Sequence, residues 1–259
     1  MNVFEMDPID LLVFGPHPDD IEIGFGATVA LHVAGGFRVG LCDLTRGELG
    51  SNGTIEDRLT EAEAARAVLG AEWRINFGWP DGGPYDTSEH VSDVVRLLRA
   101  CRPEVVAIPY WSDRHPDHRA ASKTLSRAIF TAGLRRFEQS GGLPSWLEGL
   151  PRDAAAATDA WRPRRVCHYF INDDAPVSCA IDVSEVYDKK RQALRCHTTQ
   201  FLPAGDDAVS TRLTDSTFFR LIESRDMRLG ALTGVAYAEG VVIREPLLRK
   251  SLFDDRGTP

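Results

Sequence analysis

The sequence LLVFGPHPDD at residues 11–20 joins an apolar run to a polar turn. The run Leu11–Gly15 has the composition of a strand that is buried on both faces of a sheet. The prolines that follow hold the chain in an extended turn, and a helical pattern begins at Glu22. A buried strand, a turn and a helix in this order are typical of the first unit of an α/β fold.

The same alternation of strand and helix continues to about Phe137. The sequence predicts strands at Leu11–Gly15, Arg38–Asp43, Glu72–Phe77 and Glu104–Pro109, and helices at Glu22–Ala34, Asp57–Leu69, Ser88–Cys101 and about Arg119–Phe137. We therefore predict an α/β fold with a Rossmann-like, mostly parallel sheet flanked by helices. Right-handed crossovers place the carboxyl ends of parallel strands at one edge of such a sheet, where ligands bind.

The rest of the chain has a different pattern. Residues 138–163 are rich in glycine, proline and alanine, and we predict an insertion there. Residues 164–259 are expected to form a smaller C-terminal cap, with extended segments at Val166–Ile171, Ser178–Val183 and Val235–Ile243 and helices at about Glu185–Cys196 and Asp215–Leu232. We expect one domain over residues 1–259, with a Rossmann-like core at 1–137.

The composition narrows the classes of function. The chain carries 30 basic and 38 acidic residues, a net charge of −8, which argues against broad binding of nucleic acid. No apolar run approaches the roughly 18 residues of a membrane span, and the acidic start lacks the features of a secretory signal. The five cysteines are scattered without a CxxC pair, so we expect buried free thiols. A cytoplasmic protein with a small-molecule substrate, and without a membrane or nucleic-acid partner, is the expectation.

A second polar turn follows the fourth predicted strand. It reads DRHPDH at residues 113–118, and it should lie at the same edge of the sheet as the first turn. His17 and Asp20 from the first turn and His118 from the second offer two imidazoles and one carboxylate. This set suits a catalytic Zn²⁺, which commonly takes three protein ligands and leaves a position for water. Fe²⁺ or Co²⁺ are alternatives for the same ligands.

The neighbouring polar residues predict amide hydrolysis. Asp19 is not used as a ligand and would act as the general base that activates the water and returns its proton to a leaving amine. His115 would stabilise an oxyanion as an imidazolium. Asp117 would orient one of the imidazoles.

The motifs PHPDD at 16–20 and HPDH at 115–118 resemble the signature motifs of the LmbE-like, or GlcNAc-phosphatidylinositol de-N-acetylase-like, family of zinc-dependent deacetylases. The resemblance covers almost the whole chain. It implies the ligands, base and oxyanion-stabilising histidine named above, and a homo-oligomer, with a hexamer among the options. The stretches DIEIG at 20–24, CDLT at 42–45, SNGT at 51–54 and YAEG at 237–240 look most like the N-acetyl-glucosaminyl-malate deacetylases of bacillithiol biosynthesis.

That branch implies N-acetyl-glucosaminyl-L-malate as the substrate. An inositol glycoside, a chitooligosaccharide or an antibiotic glycoside are the alternatives for the same chemistry. Ile21 stands where the wider family often has an acidic residue, which fits the branch. The stretch Leu143–Arg162 looks longer than in the branch and, if it borders the pocket, would change which acceptor group fits.

The resemblance also suggests residues that bind the substrate. Arg58 would face it, or else pair with Glu61 along its own helix. Arg114 would hold the carboxylates of malate, or else form a surface salt bridge. Tyr237 would reach the tetrahedral intermediate, or else pack in the core.

Two other classes of protein compete with this interpretation. In a nucleotide-binding Rossmann protein, Asp43 would bind a ribose, but the first turn has no GxGxxG, since Val29 stands at the third glycine position. A purely structural zinc protein is disfavoured because three ligands leave an open position and Asp19 would have no role. Turnover of an N-acetyl glycoside would separate the deacetylase from both.

Overall fold

The computed structural model describes residues 8–138, 159–203, 208–246 and 248. Within them one sheet has the strand order β3-β2-β1-β4-β5-β7-β6. Its strands are β1 (Leu11–Gly15), β2 (Val39–Thr45), β3 (Trp73–Trp79), β4 (Val105–Pro109), β5 (Arg165–Tyr169), β6 (Cys179–Asp182) and β7 (Ala238–Val242). The helices are α1 (Asp20–Ala34), α2 (Ile55–Leu69), α3 (Ser88–Cys101), α4 (Pro116–Ala132), α5 (Tyr187–Cys196), α6 (Thr198–Phe201) and α7 (Ser216–Thr233). The predicted α/β fold is confirmed.

In the parallel part of the sheet, the strand order changes direction between β1 and β4. β1 pairs in parallel with β2 on one side and with β4 on the other. Every residue of β1 is buried, as expected for an apolar strand between two layers of helices. The carboxyl ends of β1 and β4 therefore border the crevice at which open α/β sheets bind ligands. We call this side of the sheet the carboxyl edge.

Helices cover both faces of the sheet. Helices α1, α2 and α5 contact one another, and α3 packs against α4. Helix α1 is buried continuously from Asp20 to Ala30, because its apolar residues lie on all sides of the helix. Gly24 lets α1 approach the sheet closely, since a Cβ there would lie 2.4 Å from the Phe170 carbonyl oxygen. This contact fixes the first turn of α1 relative to the sheet.

The last three strands extend the same sheet. β5 continues the parallel order next to β4, whereas β7 runs antiparallel between β5 and β6. The extended segment predicted at Val235–Ile243 is thus a strand inside the sheet. The division of the chain into a core, an insertion and a cap stays a prediction.

Most of the predicted insertion, residues 139–158, lies outside the described residues. The described residues that flank it contact the amino edge of the sheet. The Trp161 indole donates to the Pro103 carbonyl, just before β4, and Arg99 donates to the Phe137 carbonyl. That the stretch Leu143–Arg162 lies next to the pocket stays a prediction.

The cysteines agree in part with the expectation of buried free thiols. The five cysteines are free thiols; Cys42, Cys101 and Cys167 are buried, but Cys179 and Cys196 are only half-buried. The expectation that all five are buried is wrong for these two, which lie on an outer strand and at a helix end.

Of the helices described, none combines the length and the apolar character needed to cross a membrane.

Candidate active site

The two polar turns meet at the carboxyl edge, between β1 and β4. The donor atoms of His17, Asp20 and His118 all lie within 4.8 Å of one another, and all three residues are buried. Asp20 Oδ2 lies 3.0 Å from His17 Nδ1 and 3.2 Å from His118 Nε2. The structure therefore brings together the three residues that the sequence predicts as metal ligands.

Local sequence explains how the ligands reach this place. The His17 amide donates to Asp20 Oδ2 at 2.9 Å, which folds the first turn over the start of α1. In the second turn, His115 caps α4 by accepting a hydrogen bond from the Asp117 amide, and Pro116 occupies the first helical position. Helix α4 therefore begins at Pro116, not at Arg119 as predicted, and it ends at Ala132. As a result, His118 projects from the first turn of a helix and not from a loop.

The outer nitrogen of each imidazole faces a carboxylate. His17 Nε2 lies 3.0 Å from Asp81 Oδ1 and 3.4 Å from Asp117 Oδ2. His118 Nδ1 lies 3.1 Å from Asp113 Oδ1. Metal-binding histidines characteristically use one nitrogen for the ion and donate the other to a carboxylate. The residues present therefore fit a divalent cation such as zinc.

Electrostatics at the centre favour positive charge. Burial by itself would lower the pKa of His17, but hydrogen bonds to Asp117, Asp20 and Asp81 raise this pKa well above its usual value. Burial opposes charge on His118 as well, yet the charge of Asp20 contributes to a rise of the His118 pKa to about 9. The carboxylates around the two imidazoles thus stabilise a cation, which a bound divalent ion would supply.

Asp19 lies beside the ligands in an unusual conformation. Its φ of 135° falls where L-residues are rarely found, and its side chain is buried. The Arg58 guanidinium holds this conformation by donating to the Pro18 carbonyl at 2.8 Å and to Asp19 Oδ2 at 3.1 Å. Burial raises the pKa of Asp19 to about 6, although the charge of Arg58 opposes the rise. A carboxyl group with this pKa suits a general base near neutral pH.

Arg58 contacts the base, and its pairing with Glu61 is ruled out. The Arg58 guanidinium lines the cleft and also donates to the Gly47 carbonyl at 3.0 Å. The Glu61 carboxylate instead accepts hydrogen bonds from Thr198 and Thr199 at the start of α6. The helix-pair hypothesis is wrong because the two side chains leave α2 towards different elements.

His115 and Asp117 occupy the rim and the wall of the centre. The His115 ring is partly exposed, and its centroid lies 4.6 Å from that of His118. Burial and the charges of His118 and His17 lower the pKa of His115, so a neutral imidazole, not the predicted imidazolium, is the favoured form. Asp117 Oδ2 accepts from the Gly82 amide at 3.0 Å and also faces His17, so the imidazole that the Asp117 carboxylate contacts is that of His17.

A cleft of about 320 Å³ opens over the centre. Its walls are the turns after β1 and β4, residues 49–51, Gln200 and residues 211–213. Arg114 is exposed and lines this cleft, and its role in binding a substrate stays a prediction.

Tyr237 does not reach the cleft. Its ring stacks on Tyr187, with the centroids 3.9 Å apart, and its hydroxyl accepts from Arg191 at 2.7 Å and donates to Glu223 at 3.1 Å. These contacts hold the phenol away from the centre. The role assigned to Tyr237 in the reaction therefore finds no support in the structure.

Several site residues escaped the sequence analysis. Asp113 stands in the second motif without an assigned role, and Asp81 follows β3 in a PDG turn at the same edge, a position that could have revealed it. Asn172 and Arg212 come from segments without any motif, and only the folded chain brings them to the cleft.

Asp43 is not available for a ribose. Its oxygens accept hydrogen bonds from Arg74 at 2.7 and 2.8 Å, and the residue is 1% exposed. Arg74 also binds Glu22. The Asp43 carboxylate therefore belongs to a buried ion cluster beneath α1. The nucleotide-binding alternative loses the residue on which it rested.

Comparison with known proteins identifies the family. The profile of the family described as "PIG-L: GlcNAc-PI de-N-acetylase" matches residues 12–129. A diacetylchitobiose deacetylase from Thermococcus kodakarensis is 30% identical over 203 residues, which cover 74% of this chain and 70% of that protein. The chain belongs to the PIG-L family. A 1D-myo-inositol 2-acetamido-2-deoxy-alpha-D-glucopyranoside deacetylase from Catenulispora acidiphila is 29% identical over 250 residues, covering 77% of this chain and 82% of the relative.

A solved structure shares the fold over most of the chain. The conserved protein TT1542 from Thermus thermophilus superposes with a TM-score of 0.79 at 34% identity, covering 93% of this chain and 97% of its own. The two enzymes named above carry the names of two different substrates, neither of which is the malate glycoside. Membership of the PIG-L family therefore does not identify the group that is attached to the N-acetylglucosamine of the substrate.

Proposed function

We propose that this protein is a metal-dependent deacetylase that hydrolyses the N-acetyl group of an N-acetylglucosamine conjugate. The observation that carries the proposal is the convergence of His17, Asp20 and His118 in a cleft with Asp19 beside them. Membership of the PIG-L family and the names of its deacetylase relatives support the same reaction. A sheet of this kind hosts many reactions, so the site and not the fold supports the assignment.

His17, Asp20 and His118 would hold one Zn²⁺, with Fe²⁺ or Co²⁺ as alternatives for the same donors. A bound ion would act as a Lewis acid toward the attacking water and the amide carbonyl. Asp81, Asp113 and Asp117 keep the two imidazoles oriented for that ion.

The chain's own side chains move the proton and stabilise charge. Asp19 accepts the proton of the attacking water and delivers it to the leaving amine, while Arg58 fixes the direction of its carboxylate. His115 accepts the Asp117 amide hydrogen at Nδ1, so its neutral ring carries a proton on Nε2. That proton can be donated to the oxygen that becomes negative in the transition state.

For the substrate we propose N-acetyl-glucosaminyl-L-malate, the conjugate of bacillithiol biosynthesis, on the strength of Arg114 at the mouth of the cleft. The names of the relatives favour an inositol glycoside or diacetylchitobiose as alternatives. We further propose a cytoplasmic homo-oligomer, which a mass measurement in solution tests.

Release of a primary amine from the three N-acetyl conjugates tests the proposal. Zinc-loaded protein is expected to turn over at least one of them, and Asp19→Asn should lower kcat by about 100-fold or more, as for the loss of a general base. Zinc content should be unchanged, because Asp19 is not a ligand. Asp159→Asn, at an exposed aspartate of the amino edge, is the matched control and should keep full activity. No amine from any conjugate, or an active Asp19→Asn variant, would contradict the proposal.

A further inference from the structure

Two arginines line the mouth of the cleft. Arg114 follows Asp113 in the turn after β4, and Arg212 comes from the segment just before α7. Both side chains are exposed and line the same cleft. Partial burial and the positive charge of Arg114 lower the pKa of Arg212, so the two guanidinium groups repel each other.

Within the part of the chain that the structure describes, neither group forms an ion pair with a carboxylate. Among the residues that the structure describes, the acids that act on Arg212 do not pair with it. Asp113 acts on Arg212 only from a distance, because its oxygens accept from the His115 amide and from both nitrogens of Asn172. Asp173 is exposed and also acts only through its distant charge.

Arg114 and Arg212 differ in this respect from two buried arginines of the chain. The protein has a net charge of −8, and its buried Arg58 and Arg74 each bind an aspartate. Two like charges at the mouth of the cleft, with no carboxylate paired to either among the described residues, raise the local positive potential. An anion between them would relieve the repulsion and accept hydrogen bonds from both guanidinium groups.

Contacts within the protein hold Arg212 in this position. Its Nη1 donates to Asn172 Oδ1 at 3.2 Å, and its guanidinium lies 5.4 Å from the centroid of the Phe218 ring. Asn172 in turn binds Asp113, which faces the ligand His118. These contacts connect the guanidinium, through Asn172 and Asp113, to the side chain of His118.

We propose that Arg212, together with Arg114, binds a carboxylate on the group that is attached to the N-acetylglucosamine, and that Arg212 thereby determines the choice of an acidic substrate. The inference rests on the proposed function, and it separates this chain from relatives named for conjugates without such a carboxylate. A phosphate on the same group offers the same oxyanion chemistry, so the test includes it.

Equilibrium binding of unreactive ligands tests the inference. The ligands are the deacetylated glucosamine conjugate of malate, its uncharged diamide and the corresponding glycerol phosphate conjugate, titrated calorimetrically into zinc-loaded protein. The wild type should bind the malate conjugate about tenfold more tightly than the diamide. Arg212→Gln and Arg114→Gln should each remove most of this preference, and Arg212→Lys should keep part of it. Arg195→Gln, at an exposed arginine of α5, is the matched control and should keep the whole preference.

Equal affinity for the malate conjugate and its diamide would overturn the inference. So would a preference that survives in both glutamine variants. Tighter binding of the phosphate conjugate would overturn the assignment to a carboxylate. The proposed function is tested separately by amine release: release without an acidic preference contradicts only this inference, whereas a preference that depends on Arg212 without any release contradicts only the proposed function.

Discussion

At the scale of single residues, the proposed reaction depends on how one aspartate is held. Asp19 has a backbone conformation that costs energy, and Arg58 binds both its carboxylate and the preceding carbonyl. The same guanidinium lowers the pKa of Asp19 against the rise caused by burial. Arg58 therefore positions the base and also sets the pH range in which it is ionised.

Replacing Arg58 should move the pH dependence of the reaction. Asp19 works as a base only when deprotonated, so activity falls at the acidic side as pH drops through its pKa, at or below about 6 when a cation is bound. Arg58→Gln removes a charge that lowers this pKa, so the acidic limb of kcat/KM should shift to higher pH by about one unit or more. Arg58→Lys should restore part of the shift. Arg66→Gln on the same helix is the control; an unchanged limb in Arg58→Gln would disprove the role.

At the scale of elements, the loop between β2 and α2 supports the same arginine. Gly47 has a φ of 66°, and a Cβ on it would lie 2.1 Å from Arg58 Nη1. Gly47→Ala should therefore displace the guanidinium and lower kcat, with the same acidic shift as Arg58→Gln but without loss of the charge. Gly36 has a φ of 82° and open space around it. Gly36→Ala should cost about 1 kcal/mol of stability and leave the pH profile unchanged, so equal profiles for both variants would refute the steric argument.

The turn between β4 and α4 organises the metal centre from outside. Asp113 accepts from His118 Nδ1, from the His115 amide and from Asn172. Asp113→Asn should weaken zinc binding about 10- to 100-fold, because a histidine that loses its carboxylate partner is a poorer and less oriented ligand. Competition with a chromophoric chelator measures the affinity. Asp159→Asn should bind zinc like the wild type; if Asp113→Asn does too, the carboxylate does not support His118.

At the scale of the whole molecule, a buried lysine joins the C-terminal elements to α1. Lys190 on α5 has no exposed surface, and its Nζ lies 2.6 Å from both Asp226 on α7 and Glu239 on β7. Glu239 also accepts from the amides of Ala27 and Thr28 inside α1. Helix α1, which begins with the proposed ligand Asp20, is thus tied to the far end of the sheet.

Lys190→Met should destabilise the protein by about 3–5 kcal/mol, because it leaves two buried carboxylates without their cation. Unfolding in urea, followed by circular dichroism, measures the loss. The adjacent Lys189 is exposed, so Lys189→Met is a matched control that should change stability by less than about 0.5 kcal/mol. Similar unfolding midpoints for the two variants would show that the buried network adds little.

The sequence by itself determined the parallel core and the reactive turns. A short apolar run such as Leu11–Gly15, bounded by a proline turn, is typical of a buried strand, and prolines beside His17 and His115 fix local geometry over a few residues. Such short-range effects are readable from neighbours in the chain. The convergence of His17, Asp20 and His118 could be predicted for this reason.

Only the tertiary structure decided which distant side chains serve the site. Arg58 and Asp19 are 39 residues apart, and Arg212 reaches the cleft through Asn172, 40 residues away. Tyr237, singled out by its motif, packs on Tyr187 instead. Contacts of this range depend on how helices pack on the sheet, which no local pattern encodes. The sequence thus specified the chemistry of the centre, and the packing of the chain specified what surrounds it.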